Sequence, residues 1–262
     1  MTAAAHDPIK PPSKFLLLAE GRALWEAGAA MALWPLLQLT PRGDGHAVLV
    51  LPGLVASDIS TKLLRRYLQG RGYDAHGWGL GRNLGPRQGI EAGMLQRLES
   101  LHAETGRKVS LVGWSLGGVY ARLLAASRPE LVRSVITLGS PFTGSARATN
   151  AWRVYEGVSG QSSEDPRRMR HVEPTPSVPT TSIFSRSDGV VAWQACQDPL
   201  QTPHSENVEV EGSHVGLVWH PKVWRVIADR LSQPEGHWQP YREARVAAAN
   251  EPDAPRTPRL AA

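Results

Sequence analysis

Gly113-Trp114-Ser115-Leu116-Gly117 places a serine between two glycines, each two residues away. A serine hydroxyl becomes a useful nucleophile only when a base takes its proton and an acid orients that base. Alone the pattern is weak, because a glycine-rich chain of this size matches it by chance roughly once in ten. Its flanks add weight: Val109-Ser110-Leu111-Val112 reads as a buried strand, and Gly118 to Leu124 as helix. So tight a strand-to-helix turn strains the backbone of its central residue and leaves no room for side chains at Gly113 and Gly117. It lifts Ser115 above the strand ends at a helix N-terminus, where developing negative charge is favoured. A glycine-rich turn with a capping serine is the plainer account of the same residues.

A nucleophile on such a turn draws its acid, and then its histidine, from later in the chain. Asp188, in Ser182-Ile183-Phe184-Ser185-Arg186-Ser187-Asp188-Gly189, follows a strand-like run, and so does His214, between Val208 and Gly216. Both fall at strand carboxyl ends, where an αβ sheet gathers its ligands. Asp188 also reads as a turn aspartate before glycine, and His214 as a loop or capping histidine. The rivals Asp198, His204 and His220 follow no strand, while His46, His76 and His102 precede the serine or lie within elements.

An oxyanion needs two donors. One is the backbone N–H of Leu116. The other comes from Leu51-Pro52-Gly53-Leu54-Val55, with Leu54 the first choice and Val55 the second. Gly53 lets the backbone approach, and Leu54 and Val55 would line an acyl pocket. Gly53, Val55, Trp114, Trp152 and Trp193 are the expected substrate contacts.

Holding these residues together takes an alternation of strands and helices. Strands are expected at His46–Leu51, Tyr73–Trp78, Lys108–Gly113, Val132–Leu138, Thr180–Ser185 and Val208–Glu211. Helices are expected from a Ser57 or Asp58 cap through Leu68, and over Arg87–Glu104, Leu116–Arg128 and Pro221–Leu231. The pattern predicts an α/β fold, a doubly wound and mostly parallel sheet with helices on both faces. Residues 142–179 lack a clear strand and read as a small cap insertion. There Trp152 and Tyr155 would face an apolar acyl group, and Arg167, Arg168 and Arg170 an anionic headgroup or solvent.

Residues 1–40 form an N-terminal segment with an amphipathic helix over Phe15–Trp34, residues 41–236 the α/β domain, and residues 237–262 a flexible tail. The helix groups Leu18, Trp25, Ala29 and Trp34 on one apolar face with Glu20 and Arg22 off it. That face is expected to pack on the core; a lid or a lipid-touching helix is the alternative.

Composition removes other classes. A chain of 262 residues with 41% hydrophobic and 20% charged residues can bury a sizeable core, which excludes disordered, collagen-like and coiled-coil readings. Cys196 is the only cysteine, so neither an intramolecular disulfide nor a thiolate zinc cluster can form. No secretory signal is legible, and Glu20, Arg22 and Glu26 interrupt the one long apolar stretch. The expected location is cytoplasmic, with peripheral contact to a membrane surface allowed by the net charge of +5. No nucleic-acid motif accompanies that charge, so no nucleic-acid partner is expected.

Leu51-Pro-Gly-Leu, Gly113-Trp-Ser-Leu-Gly-Gly118, Ser185-Arg-Ser-Asp-Gly-Val190 and Gly212-Ser-His-Val-Gly216, in this order, resemble the α/β-hydrolase superfamily, most closely its bacterial esterase/lipase branch. The likeness covers roughly residues 46–232. It implies a Ser115, Asp188, His214 triad, ester hydrolysis through an acyl-enzyme, a small-molecule or lipid ester substrate, and neither metal nor organic cofactor. Pro52 departs from the histidine many relatives carry before the glycine; that loop acts through backbone groups, so the change bears on loop shape. Three readings follow: a carboxylic ester hydrolase, an acyltransferase passing the acyl group to an alcohol, and a non-catalytic binding module on the same fold.

Overall fold

The computed structural model describes residues 9–144, 146–163, 174–199 and 202–242. Six strands form one sheet: β1 (Ala47–Leu51), β2 (Asp74–Gly77), β3 (Val109–Trp114), β4 (Val132–Leu138), β5 (Thr180–Phe184) and β6 (Ser205–Glu209). Their order is β2-β1-β3-β4-β5-β6, and every pairing is parallel. The chain reverses direction across the sheet between β1 and β3, the point at which such sheets open a crevice.

Alternate residues of each strand feed two separate cores. Val48, Val50, Val112, Trp114, Ile136 and Leu138 face one side, against Leu64, Tyr67 and Leu68 of α4 (Lys62–Gly70) and Val223, Trp224 and Ile227 of α8 (Pro221–Leu231). Ala47, Leu49, Leu51, Val109, Leu111 and Val135 face the other. They meet Met94, Leu98 and Leu101 of α5 (Ile90–Thr105), and Tyr120, Ala121 and Leu124 of α6 (Leu116–Ser127). Burial on both faces explains why these strands read as apolar runs. The expected α/β architecture is thus observed.

Register matters most for the site. Leu51 pairs with Gly113, Trp114 with Leu138, Leu138 with Ile183, and Phe184 with Glu209. The loops that follow β1, β3, β4, β5 and β6 therefore leave the sheet at one level, so residues far apart in sequence can meet there.

Two local expectations are corrected. Neither Ser57 nor Asp58 caps α4, which starts only at Lys62; the Asp58 carboxylate instead accepts from the amides of Trp78 and Gly79, tying the loop after β1 to the loop after β2. The N-terminal helix is broken into α1 (Lys14–Leu18), a tight turn at Ala19–Arg22, α2 (Ala23–Ala32) and α3 (Trp34–Leu37). Its expected inner face points outward: Leu18 is 84% and Trp25 83% exposed, and Ala29 is exposed as well. Of that face only Trp34 reaches the core, edge-on to Tyr67 and Trp224. The segment instead meets the domain through the buried Ala23, Ala30 and Leu37 and through the side chains of Glu20, Arg22 and Glu26.

Candidate active site

β3 ends at Trp114, and α6 begins at Leu116, so Ser115 alone makes the turn. Its backbone lies at φ 53° and ψ −122°, a region non-glycine residues rarely occupy. Close packing holds it there. A Cβ on Gly113 would sit 2.4 Å from the Gly117 carbonyl, and one on Gly117 would sit 2.3 Å from the Leu51 carbonyl. The Ser115 amide donates to the Leu138 carbonyl at 2.8 Å, fixing the turn to β4.

The loops after β5 and β6 bring two further side chains to this hydroxyl. Ser115 Oγ lies 3.0 Å from His214 Nε2, and His214 Nδ1 lies 2.7 Å from Asp188 Oδ2. The other Asp188 oxygen, Oδ1, accepts from the amides of Val190 and Val191 at 2.8 and 2.7 Å, so the carboxylate has one orientation. Burial disfavours a charged His214, but the charge and hydrogen bond of Asp188, with the charge of Glu20, outweigh it. The imidazole pKa is therefore raised above the ordinary histidine value. Such a histidine can take a proton from serine and is stabilised once it carries it.

The loop after β1 is strained too. Val55, a β-branched residue, has φ 56°. Its amide donates to the Asn83 carbonyl at 2.7 Å, the Asn83 amide donates to Ala56, and Asn83 Nδ2 donates to Pro52. Val55 is thus committed to Asn83, while among the described residues no acceptor takes the Leu54 amide. Asn83 is fully buried; its position in the glycine-rich run after β2 gave no sign of this clamp.

A cavity of about 800 Å³ opens at Ser115, lined by Leu54, Met94, Leu116, Val119, Leu123 and Trp152 among others. Helix α7 (Trp152–Ser159) of the insertion covers it with Trp152 and Tyr155. Arg167, Arg168 and Arg170 lie outside the described residues. Of the expected substrate contacts, Trp152 lines the cavity; Gly53, Val55, Trp114 and Trp193 do not. Gly53 sits behind the nucleophile, where a Cβ would come within 3.2 Å of Ser115 Cβ. Trp114 turns to the opposite side of the sheet and donates from Nε1 to the His214 carbonyl at 3.0 Å. Trp193 stacks on Phe184 beneath Arg186.

The rivals are placed elsewhere. Asp198 forms a fully buried ion pair with Arg122 at 2.8 Å and also accepts from Thr175 and Ser182, anchoring the return of the insertion. His220 accepts from the Lys222 amide at the start of α8, and His204 lies edge-on to Trp238. Burial pushes the Cys196 thiol well up, so it is held protonated and unreactive. Glu20, Arg22 and Glu26 reach the loops of Asp188 and His214 from the N-terminal segment. A helical pattern scored by apolar residues alone leaves Glu20 and Arg22 off the packing face.

No protein-family model matches the chain. Human serine hydrolase BPHL is 30% identical over 148 residues, covering 52% of this chain and 48% of that protein. The carboxylesterase of Bacillus subtilis (strain 168) is 25% identical over 219 residues, covering 72% and 87%. The chain spans about half the length of the mammalian relatives it matches. Among solved structures, Bacillus licheniformis lipase BlEst2 in mature form aligns with a TM-score of 0.57 at 18% identity, over 74% of this chain and 94% of that one. This last likeness is one of fold.

Proposed function

On the premise that the chain is an α/β-hydrolase-superfamily protein related to bacterial and fungal esterases and lipases, we propose that it is a serine carboxylic-ester hydrolase. It acts through an acyl-enzyme on esters with an apolar acyl group. The observation that carries this reading is the Ser115–His214–Asp188 hydrogen-bond series at the mouth of an apolar cavity.

His214 Nε2 takes the Ser115 proton as the hydroxyl oxygen bonds to the ester carbonyl carbon. Asp188 keeps its hydrogen bond to Nδ1 and stabilises the imidazolium. The amides of Leu54 and Leu116 receive the oxyanion, and His214 returns the proton to the departing alcohol. Water then repeats the sequence on the acyl-enzyme, freeing the acid and Ser115. Leu54, Met94, Val119 and Leu123 supply an apolar wall for the acyl chain, and Trp152 closes over it.

A p-nitrophenyl ester series from about two to sixteen acyl carbons tests this. Turnover lost in folded Ser115→Ala supports it, and equal turnover in both proteins overturns it. A Trp152→Ala variant is expected to raise KM for the longer esters severalfold with little change for acetate.

The substrate is further proposed to be met at an anionic lipid surface, with the protein in the cytoplasm. Phe15, Leu18, Leu24 and Trp25 are each more than three quarters exposed, and Lys10 and Lys14 beside them carry the complementary charge. No helix among the described residues is long and apolar enough to cross a membrane. Replacing Leu18 and Trp25 by serine is expected to abolish co-sedimentation with anionic vesicles. Unchanged co-sedimentation removes the idea.

A further inference from the structure

The segment before the domain does more than cover it. Glu20 Oε1 accepts from the amides of Gly189 at 2.8 Å and His214 at 2.9 Å, and its Oε2 accepts from the amide of Val215 at 3.0 Å. One carboxylate thereby holds the residue after the acid, the histidine itself and the residue after the histidine. Glu26 continues the pattern, accepting from the Ser213 amide at 2.8 Å and from the Ser213 hydroxyl. The Arg22 guanidinium donates to the Ser187 carbonyl at 2.5 Å and to its hydroxyl at 3.0 Å.

These loop amides lie outside the sheet ladder and need acceptors once buried; charged acceptors serve them strongly. The surrounding sequence is fitted to this contact. A Cβ on Gly189 would lie 2.2 Å from the Leu16 carbonyl, and one on Gly216 would lie 1.4 Å from Glu26 Oε2. Glycine at both positions lets the N-terminal segment come this close.

We propose that Glu20 is a positioning residue for the triad, a single carboxylate that fixes the histidine loop against the acid loop. The assignment rests on the hydrolase reading above. Glu20 also acts through space. The charged groups facing His214 are Asp188 from the loop after β5 and Glu20 from the N-terminal turn, with Arg22 and Glu26 bound to the neighbouring Ser187 and Ser213. The Glu20 charge favours the imidazolium.

The test is Glu20→Gln in the full chain, read by ester kinetics across pH and by an NMR titration of the His214 imidazole assigned with His214→Asn. The expected result is a fall in kcat of about tenfold or more with KM within about twofold. The acid limb of kcat/KM and the imidazole midpoint both move to lower pH. Met31→Ala, exposed on the same segment and outside the lipid-facing set, is expected to change none of these. Should Glu20→Gln fail to fold, Glu20→Asp keeps the charge and shortens the reach; it is expected to lower kcat while leaving the acid limb in place.

A folded Glu20→Gln protein lacking either the kcat loss or the midpoint shift overturns the proposal, as does Glu20→Asp at wild-type kcat. Absent Ser115-dependent turnover in the wild type, with no phosphonate label on Ser115, is failure of the hydrolase reading instead. The titration midpoint then decides the Glu20 assignment by itself.

Discussion

The described residues hold two serine–histidine–aspartate series, one at each end of β3. Beyond the carboxyl end, Ser115 Oγ, His214 and Asp188 are spaced at 3.0 and 2.7 Å. Near the amino end, Ser110 Oγ lies 2.8 Å from His46 Nε2, and His46 Nδ1 lies 2.5 Å from Asp44 Oδ1. By residue type and distance they are near twins. Their surroundings differ in every other respect. Ser110 sits inside β3, next to a register shift against β4, fully buried, with its hydroxyl also bonded to that of Ser134. It has no strained turn, no adjacent helix N-terminus and no place on the cavity wall. Asp44 is shared among His46, Arg107 and Arg133, and burial with those arginines lowers the His46 pKa, whereas that of His214 is raised. A hydrogen-bonded series therefore orients side chains; nucleophilicity further requires access, donors for the oxyanion and a base that can accept a proton.

The sharpest way to break the comparison is to delete each hydroxyl. Ser115→Ala is expected to lower kcat by at least about 10⁴-fold with little change in stability. Ser110→Ala is expected to leave kcat within about twofold. It strands the His46 nitrogen and the Ser134 hydroxyl, a loss of about 1–3 kcal/mol that thermal unfolding reads as several degrees. Loss of turnover in Ser110→Ala at temperatures where it stays folded would make the two ends of β3 one coupled system.

Next in size is the clamp that only the first series possesses. Asn83 binds the backbone of Pro52, Val55 and Ala56 on the loop expected to carry an oxyanion donor. Asn83→Ala is expected to cost about tenfold in kcat at nearly constant KM, less than losing a donor outright because the loop is loosened and not removed. A change confined to KM would place that loop in ground-state binding instead.

Local sequence pattern carries five of the six strands and the main helices, whereas the polar Ser205–Asn207 opening of β6 gives no apolar signal and that strand is expected three residues late. Val132–Leu138 was bounded correctly because an apolar run lies between Pro129 and Gly139, and Pro221 marks the start of the last helix. The spacing of Ser115, Asp188 and His214 was legible because each follows a strand. The N-terminal segment turns Leu18, Trp25 and Ala29 outward, opposite to the side its apolar periodicity suggests. Periodicity identifies an amphipathic helix but not which face turns inward; here buried loop amides of residues 189 and 213–215 recruit Glu20 and Glu26 across the length of the chain. Trp114 lies off the cavity for a related reason. Its side of the sheet follows from strand parity, since it shares the face of Val112, and that face lies away from the cavity.

The smallest effects sharpen the comparison most, because they test the two histidines by sign. The pKa of His214 is raised by folding, so the stability it contributes is complete below the unfolded value of about 6.5 and is lost as pH rises through its folded pKa. His46 is depressed, so its contribution is present above about 6.5 and is lost as pH falls through its folded pKa. Urea unfolding between about pH 5 and 8 should show the wild-type advantage over His214→Gln shrinking toward alkaline pH. The advantage over His46→Gln should shrink toward acid. The acid limb of kcat/KM belongs with His214, above the ordinary histidine value, and His46→Gln should not move it. Burial works against the charge of both imidazoles: at His214 the carboxylates of Asp188 and Glu20 outweigh it, whereas at His46 burial prevails, with Arg133 and Arg107 offsetting Asp44. Parallel slopes would mean that Asp44 outweighs burial and both arginines at His46, and the two series would then differ in access and in oxyanion donors.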